Sequence, residues 1–246
     1  LPDHPYTWQM SGHVSVAIIG VGAMGSALLS GLLRAGWDAE DISLCVRRME
    51  NDGELTHRTG CEITLDPVDA IRGRRVIVVA VKPRDVEPLL ESLKGNVESA
   101  QLVLSLAAGI TTRTYEKYLG DVPIIRAMPN TPALVGEGVT GIAAGTHSGL
   151  SELDTAREVL DAVGSVRMMD ESLLDAVTAV SGTGPAYVFL LAEALIEAAL
   201  HPVALCIARF MCGRSAVLQG TPAIIKTQGT TSRTNEEGYM RLHTDT

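Results

Sequence analysis

The stretch VSVAIIGVGAMGSALLSGLLRA, residues 14–35, decides the fold. Val14 to Ile19 is a short β-branched run without a charge. Gly20-Val21-Gly22-Ala23-Met24-Gly25 follows at once, and apolar residues then recur at helical spacing through Ala35. A G-x-G-x-x-G spacing carries little meaning alone; set between a strand and a helix it predicts a nucleotide-binding turn. Gly20 permits the tight turn, Gly22 leaves room for a pyrophosphate against the backbone, and Gly25 allows close helix packing. The helix dipole then faces the phosphates. The expected contacts are Gly20, Gly22, Ala23, Met24 and Gly25.

Working outward, Ile42 to Val46, Arg75 to Val81 and Gln101 to Leu106 read as further strands with helical segments between them. Pro123 to Ala127 and Val139 to Ala144 read as strands near a sheet edge, in an order the sequence leaves open. Fully apolar strands alternating with helices predict an α/β fold, a Rossmann-type doubly wound sheet covered on both faces. Glu152 to Val163 and Glu171 to Val180 are expected as amphipathic helices flanking a short strand, Ser165 to Met169. In Ser181-Gly182-Thr183-Gly184-Pro185, Thr183 is placed to cap and Pro185 to occupy the first turn of a helix running on from Ala186 to Leu200. That helix is apolar around most of its circumference, so a second domain or a second subunit is expected to bury it. His201-Pro202 stops it, Val203 to Leu218 reads as one more helix, and residues 221–246 show little periodicity and are expected to be poorly ordered. The resulting division is an N-terminal extension (1–13), a Rossmann domain (14–170), a smaller all-helical region (171–220) and a tail (221–246).

The chain has 246 residues, 46% of them hydrophobic, with two Trp, two Phe and five Tyr, so its core must be aliphatic. A formal net charge of -9 disfavours nucleic acid, whose affinity comes largely from Lys and Arg neutralising phosphates. Cys45, Cys61, Cys206 and Cys212 form no C-x-x-C pair and no cluster with His, which argues against a disulfide framework and a zinc site. A reducing, cytoplasmic setting is expected. Residues 1–9 lack the pattern of a signal peptide, Met10 is a plausible start, and no run reaches roughly 20 uninterrupted apolar residues, so no membrane span is expected.

About 20 residues past the glycine turn, an Asp or Glu would accept hydrogen bonds from the ribose 2′-hydroxyl of NAD. Cys45-Val46-Arg47-Arg48 stands there instead. Two guanidiniums suit a 2′-phosphate, so Arg47 and Arg48 favour NADPH, with NADH possible. Val81, Lys82 and Pro83 close one apolar strand at its carboxyl end, the edge where ligands bind in open α/β sheets. Ala107, Ala108 and Gly109 end the next, small enough for a nicotinamide ring to lie against the backbone, although packing alone also explains them. Met128-Pro129-Asn130-Thr131-Pro132 offers the amide of Asn130 between two prolines, either as a positioned contact or as a plain turn. The six His are scattered, with no triad and no metal spacing. Hydride transfer fits this inventory, because it requires reactants held face to face more than an acid or base.

Taken together, the glycine turn with Met24, Val81-Lys82-Pro83, Ser105 to Ile110 (SLAAGI), Arg126 to Pro132 (RAMPNTP) and Ser181 to Tyr187 (SGTGPAY) resemble the pyrroline-5-carboxylate reductases, in order and over residues 14 to 198. The resemblance implies hydride transfer from NADPH to the imine carbon of 1-pyrroline-5-carboxylate, giving L-proline. It also implies a helical second domain forming an intertwined homodimer, with the substrate carboxylate held by a Ser-Pro-Gly-Gly-Thr-Thr-like turn. The nearest counterpart, Thr227-Gln228-Gly229-Thr230-Thr231, lacks the Ser-Pro start and one glycine, and the mapping makes Thr231 the substrate-contacting residue. The interval after Ala198 is short for the family's helices, and the chain beyond Thr231 departs from its last helix. A non-catalytic NADP(H)-binding homologue with a degenerate substrate half is therefore the alternative. A hydroxyacid dehydrogenase would need a lysine in the helix after residue 181, and Ala186 to Leu200 contains none.

Overall fold

Four short apolar runs build the centre of the sheet: Val16–Ile19 (β1), Ile42–Cys45 (β2), Val76–Val79 (β4) and Leu102–Ser105 (β5), each buried at every residue. A computed structural model describes residues 13–48 and 59–200 of the chain. Among these, Glu62–Thr64 (β3), Ile124–Met128 (β6), Gly138–Ala144 (β7) and Gly164–Met168 (β8) complete one eight-stranded sheet. Its order is β3-β2-β1-β4-β5-β6-β7-β8. Strands β1 to β6 are parallel, β7 runs antiparallel to β6, and β8 is parallel to β7. The chain winds outward in one direction from β1 through β2 and β3, and in the other from β4, which places the topological switch point between β1 and β4. Ligands bind outside the carboxyl ends of the strands at such a point.

Side chains alternate across a strand, so β1 feeds two apolar layers. Val16 and Ile18 pack with Leu28 and Leu32 of Ala23–Arg34 (α1) and with Val159 and Leu160, whereas Ala17 and Ile19 join the layer of Ala70, Ile71, Leu90 and Leu93. These last residues belong to Pro67–Ile71 (α2) and Val86–Leu93 (α3); Thr112–Leu119 (α4) contributes Tyr115 to the same layer, and Leu150–Asp161 (α5) lies with α1. The doubly wound sheet thus has both faces covered.

The run expected as one helix from Glu171 to Val180 is helical in three pieces: a tight turn Glu171–Leu173, a short α-helix Leu174–Val177 (α6) and a wider π-type turn Thr178–Gly182. Thr178 donates its hydroxyl to the Leu174 carbonyl at 2.8 Å, and the Thr183 amide reaches back five residues to the Thr178 carbonyl. Thr183 does not act as the expected cap of the next helix; its hydroxyl turns back to the Ala179 carbonyl at 2.7 Å. Gly184–Leu200 (α7) follows, with Pro185 in its first turn. The chain divides into two compact units between Pro185 and Ala186. In the second unit Phe189, Leu191 and Leu195 are each more than 60% exposed.

The helical run Glu171–Ala198, 28 residues long, is long and apolar enough by length and composition to cross a membrane. The run is not an uninterrupted apolar one, since Glu193 and Glu197 fall within it, and it qualifies only by its average hydropathy. One such helix is weak evidence for a span, since apolar helices of soluble assemblies meet the same condition. Residues 1–12 of the expected extension 1–13, the helix expected at Val203 to Leu218, the tail and Thr231 lie outside the described residues.

Candidate functional site

The three glycines of the turn occupy three different environments. Gly20 has φ +98°, a conformation that side-chain-bearing residues rarely adopt, and a Cβ there would lie 2.9 Å from the Ala80 carbonyl group. A Cβ on Gly25 would collide with the carbonyl oxygen of Gly20. At Gly22 a Cβ would meet nothing within 4 Å. Gly22 has no packing reason to be glycine, and its bare backbone is open to approach from outside. Behind it α1 begins with no capping side chain and no acid in its first turn, leaving the first amides without intrahelical partners. An open glycine before an uncapped helix N-terminus fits a pyrophosphate.

The parallel strands bring the other expected residues to the same edge. Arg47 and Arg48 follow β2 and are exposed. Arg47 Nη2 donates to Asp85 Oδ2 at 2.7 Å. Lys82 is exposed and precedes the tight turn Pro83–Asp85, with Val81 half-buried behind it. Past β5, Ala107 is buried, with its amide donating to Ser105 Oγ at 3.3 Å, and Gly109 turns with φ +73°. Beyond β6, Asn130 is held from both sides: its Oδ1 accepts from the Val139 amide at 2.9 Å and its Nδ2 donates to Ser181 Oγ at 3.0 Å. Asn130 therefore ties RAMPNTP to SGTGPAY, which the sequence shows only as two separate motifs.

A polar network gathered around one buried arginine is not legible in the sequence. Arg126 on β6 is 2% exposed and lies 2.7 Å from Asp175 and 3.5 Å from Glu171. Glu171 also accepts from the Thr112 amide and hydroxyl, each at 2.8 Å. Nearby, Tyr115 Oη and Ser105 Oγ are 2.6 Å apart. Burial pushes the Tyr115 hydroxyl up to about 12, against the opposing pull of the Ser105 hydrogen bond and the Arg126 charge. Tyr115 stays neutral through physiological pH and serves structure. The signal was an arginine inside the strand IIRAM, since a charge in a buried strand requires a partner. Burial likewise pushes the Cys45 thiol up to about 11, with Asp66 adding to the effect, which leaves it a poor nucleophile. No group of His, Cys, Asp and Glu suited to a metal ion occurs among the described residues. What the arrangement offers is a dinucleotide cradle with small residues and backbone amides beside it.

Comparison with known proteins bears on both parts of the chain. Residues 15–109 match the family model described as NADP oxidoreductase, coenzyme F420-dependent, and residues 171–233 match the model described as pyrroline-5-carboxylate reductase dimerisation. The pyrroline-5-carboxylate reductase of Mycobacterium tuberculosis is 43% identical over 197 residues, covering 77% of this chain and 66% of that protein. A pyrroline-5-carboxylate reductase structure from Coxiella burnetii superposes with a TM-score of 0.71 at 36% identity, covering 76% of this chain and 71% of the other. The Plasmodium falciparum pyrroline carboxylate reductase, solved with NADP bound, gives a TM-score of 0.67 at 29% identity, covering 75% and 68%.

Proposed function

The chain belongs to the pyrroline-5-carboxylate reductase family, and from that membership we propose that it reduces 1-pyrroline-5-carboxylate to L-proline with NADPH. The observation that carries the reading is Gly22, bare in open space before an uncapped helix at the switch point of the sheet. The chain spans 66% of the length of the M. tuberculosis relative, so the activity is argued from residues present here.

When bound, NADPH supplies the hydride. The amides at the start of α1 hold the pyrophosphate past Gly20, Gly22, Ala23, Met24 and Gly25. Arg47 and Arg48 take the 2′-phosphate in their fork geometry. Val81, Lys82 and Pro83 line the carboxyl end of β4, and Ala107, Ala108 and Gly109 that of β5, where their small side chains leave space for the nicotinamide ring. Asn130 holds the Ser181 turn at the end of β6. A protonated imine is already electrophilic, so these groups need only position it, and the chemistry requires no strong acid. Thr231 is the proposed side-chain contact to the substrate.

The working unit is a homo-oligomer of at least two chains, for which the match of residues 171–233 to a dimerisation model and the exposed apolar side chains of α7 are the support. The same match favours subunit contact over a bilayer as the environment of this helix. We place the protein in the cytosol, where the buried thiols of Cys45 and Cys61 remain reduced. The reading is tested with NADPH deuterated at the transferable position. Mass spectrometry should find one deuterium in proline, on the ring carbon that was the imine carbon of the substrate. Unlabelled proline, or none, overturns it.

A further inference from the structure

We propose that Asp85 sets the balance between NADPH and NADH by competing with the cofactor 2′-phosphate for Arg47, an inference that rests on the nucleotide reading above. Arg47 lies two residues beyond β2, and Asp85 lies in the turn Pro83–Asp85 beyond β4. Strand β1 is between β2 and β4 in the sheet. The Arg47–Asp85 ion pair, 2.7 Å long, therefore reaches across the carboxyl end of β1, where the glycine turn begins.

The two partners differ in freedom. The Arg47 side chain is 69% exposed and that of Asp85 28%, and the Asp85 amide is fixed by donation to the Lys82 carbonyl at 2.8 Å. Asp85 is thus an anchored acid and Arg47 a long arm resting on it. Dinucleotide sites that select NAD carry an acid at the end of the second strand, which accepts from the 2′-hydroxyl. This chain has none in Cys45-Val46-Arg47-Arg48, yet the fold delivers one to the Arg47 guanidinium from the turn after β4, on the far side of β1. A 2′-phosphate must draw Arg47 from Asp85 or share it, and it then lies close to a like charge. A 2′-hydroxyl meets neither penalty. Asp85 accordingly weakens NADPH selectively and leaves NADH usable.

Fluorescence titration of the full chain with NADPH and with NADH, for wild type, Asp85→Asn, Arg47→Ala and the double variant, tests the assignment. An exposed pair of this kind shifts an equilibrium by up to about fivefold. Asp85→Asn should bind NADPH about fivefold more tightly with NADH unchanged or weaker. In the Arg47→Ala background the same change should move the ratio by less than about twofold, because the shared partner is gone. A merely structural role would move both cofactors alike and overturns the assignment, as does weaker NADPH binding or a ratio within about twofold of wild type in Asp85→Asn. Wild-type protein that binds neither nucleotide overturns the cofactor reading itself, and this inference with it.

Discussion

Gly22 and Gly25 stand in one turn, three residues apart, and the space around them makes opposite demands. At Gly22 the backbone is extended with φ -82° and a Cβ meets no atom of the protein, so Gly22→Ala should fold with a stability change within about 1 kcal/mol. The same methyl group would stand where the pyrophosphate approaches, and NADPH affinity should fall about tenfold or more. At Gly25 the Cβ meets the Gly20 carbonyl in the protein itself, so Gly25→Ala should cost about 1–3 kcal/mol before any ligand is considered. Urea denaturation and NADPH titration of both variants separate the two effects. Unaltered NADPH binding by Gly22→Ala would contradict the role given to Gly22. The sequence made these glycines legible because their meaning is local, a spacing between a strand and a helix. Arg47 with Asp85 and Arg126 with Glu171 are 38 and 45 residues apart in the chain, and only the sheet order brings them together. Arg47 stands just past the end of β2, where its place in the sequence puts it, but its acidic partner comes from a turn whose position depends on β4 lying beside β1.

At the scale of elements, the central strands were legible because parallel strands buried on both faces are continuous apolar runs. Strand β3, Glu62–Thr64, was not, since three residues with an exposed Glu62 carry no period. The sequence leaves the order of β6 and β7 open for a related reason: β7 reverses direction after a tight turn, Thr131–Val135, and nothing in its composition distinguishes antiparallel from parallel pairing. The segment 171–180 reads as a plain helix in its periodicity, while the π-type turn Thr178–Gly182 depends on hydrogen bonds from Thr178 and Thr183. Helix α7 is where an element-scale prediction belongs. Leu191 and Leu195, four residues apart and so on one face, are 61% and 62% exposed. Burying each against another chain contributes about 1.5–3 kcal/mol. Sedimentation should show wild type as a dimer or larger at micromolar concentration and Leu191→Lys with Leu195→Lys shifted to monomer. Wild type that sediments as a monomer at tens of micromolar would contradict the role given to α7.

In the whole molecule a Rossmann-type sheet is followed by residues 171–233, which match the dimerisation model. The match takes in Thr231, together with the altered turn Thr227 to Thr231 and the short interval after Ala198. That placement favours a working enzyme over a nucleotide-binding remnant, because the proposed substrate residue falls inside the matched segment. The measurement that tests this most directly is the rate of NADPH oxidation by purified protein on addition of pyrroline-5-carboxylate, with NADH run in parallel. The account predicts turnover that depends on the substrate, faster with NADPH than with NADH. NADPH that binds but is not oxidised when substrate is added would contradict it, leaving an intact cofactor domain without an assembled substrate site.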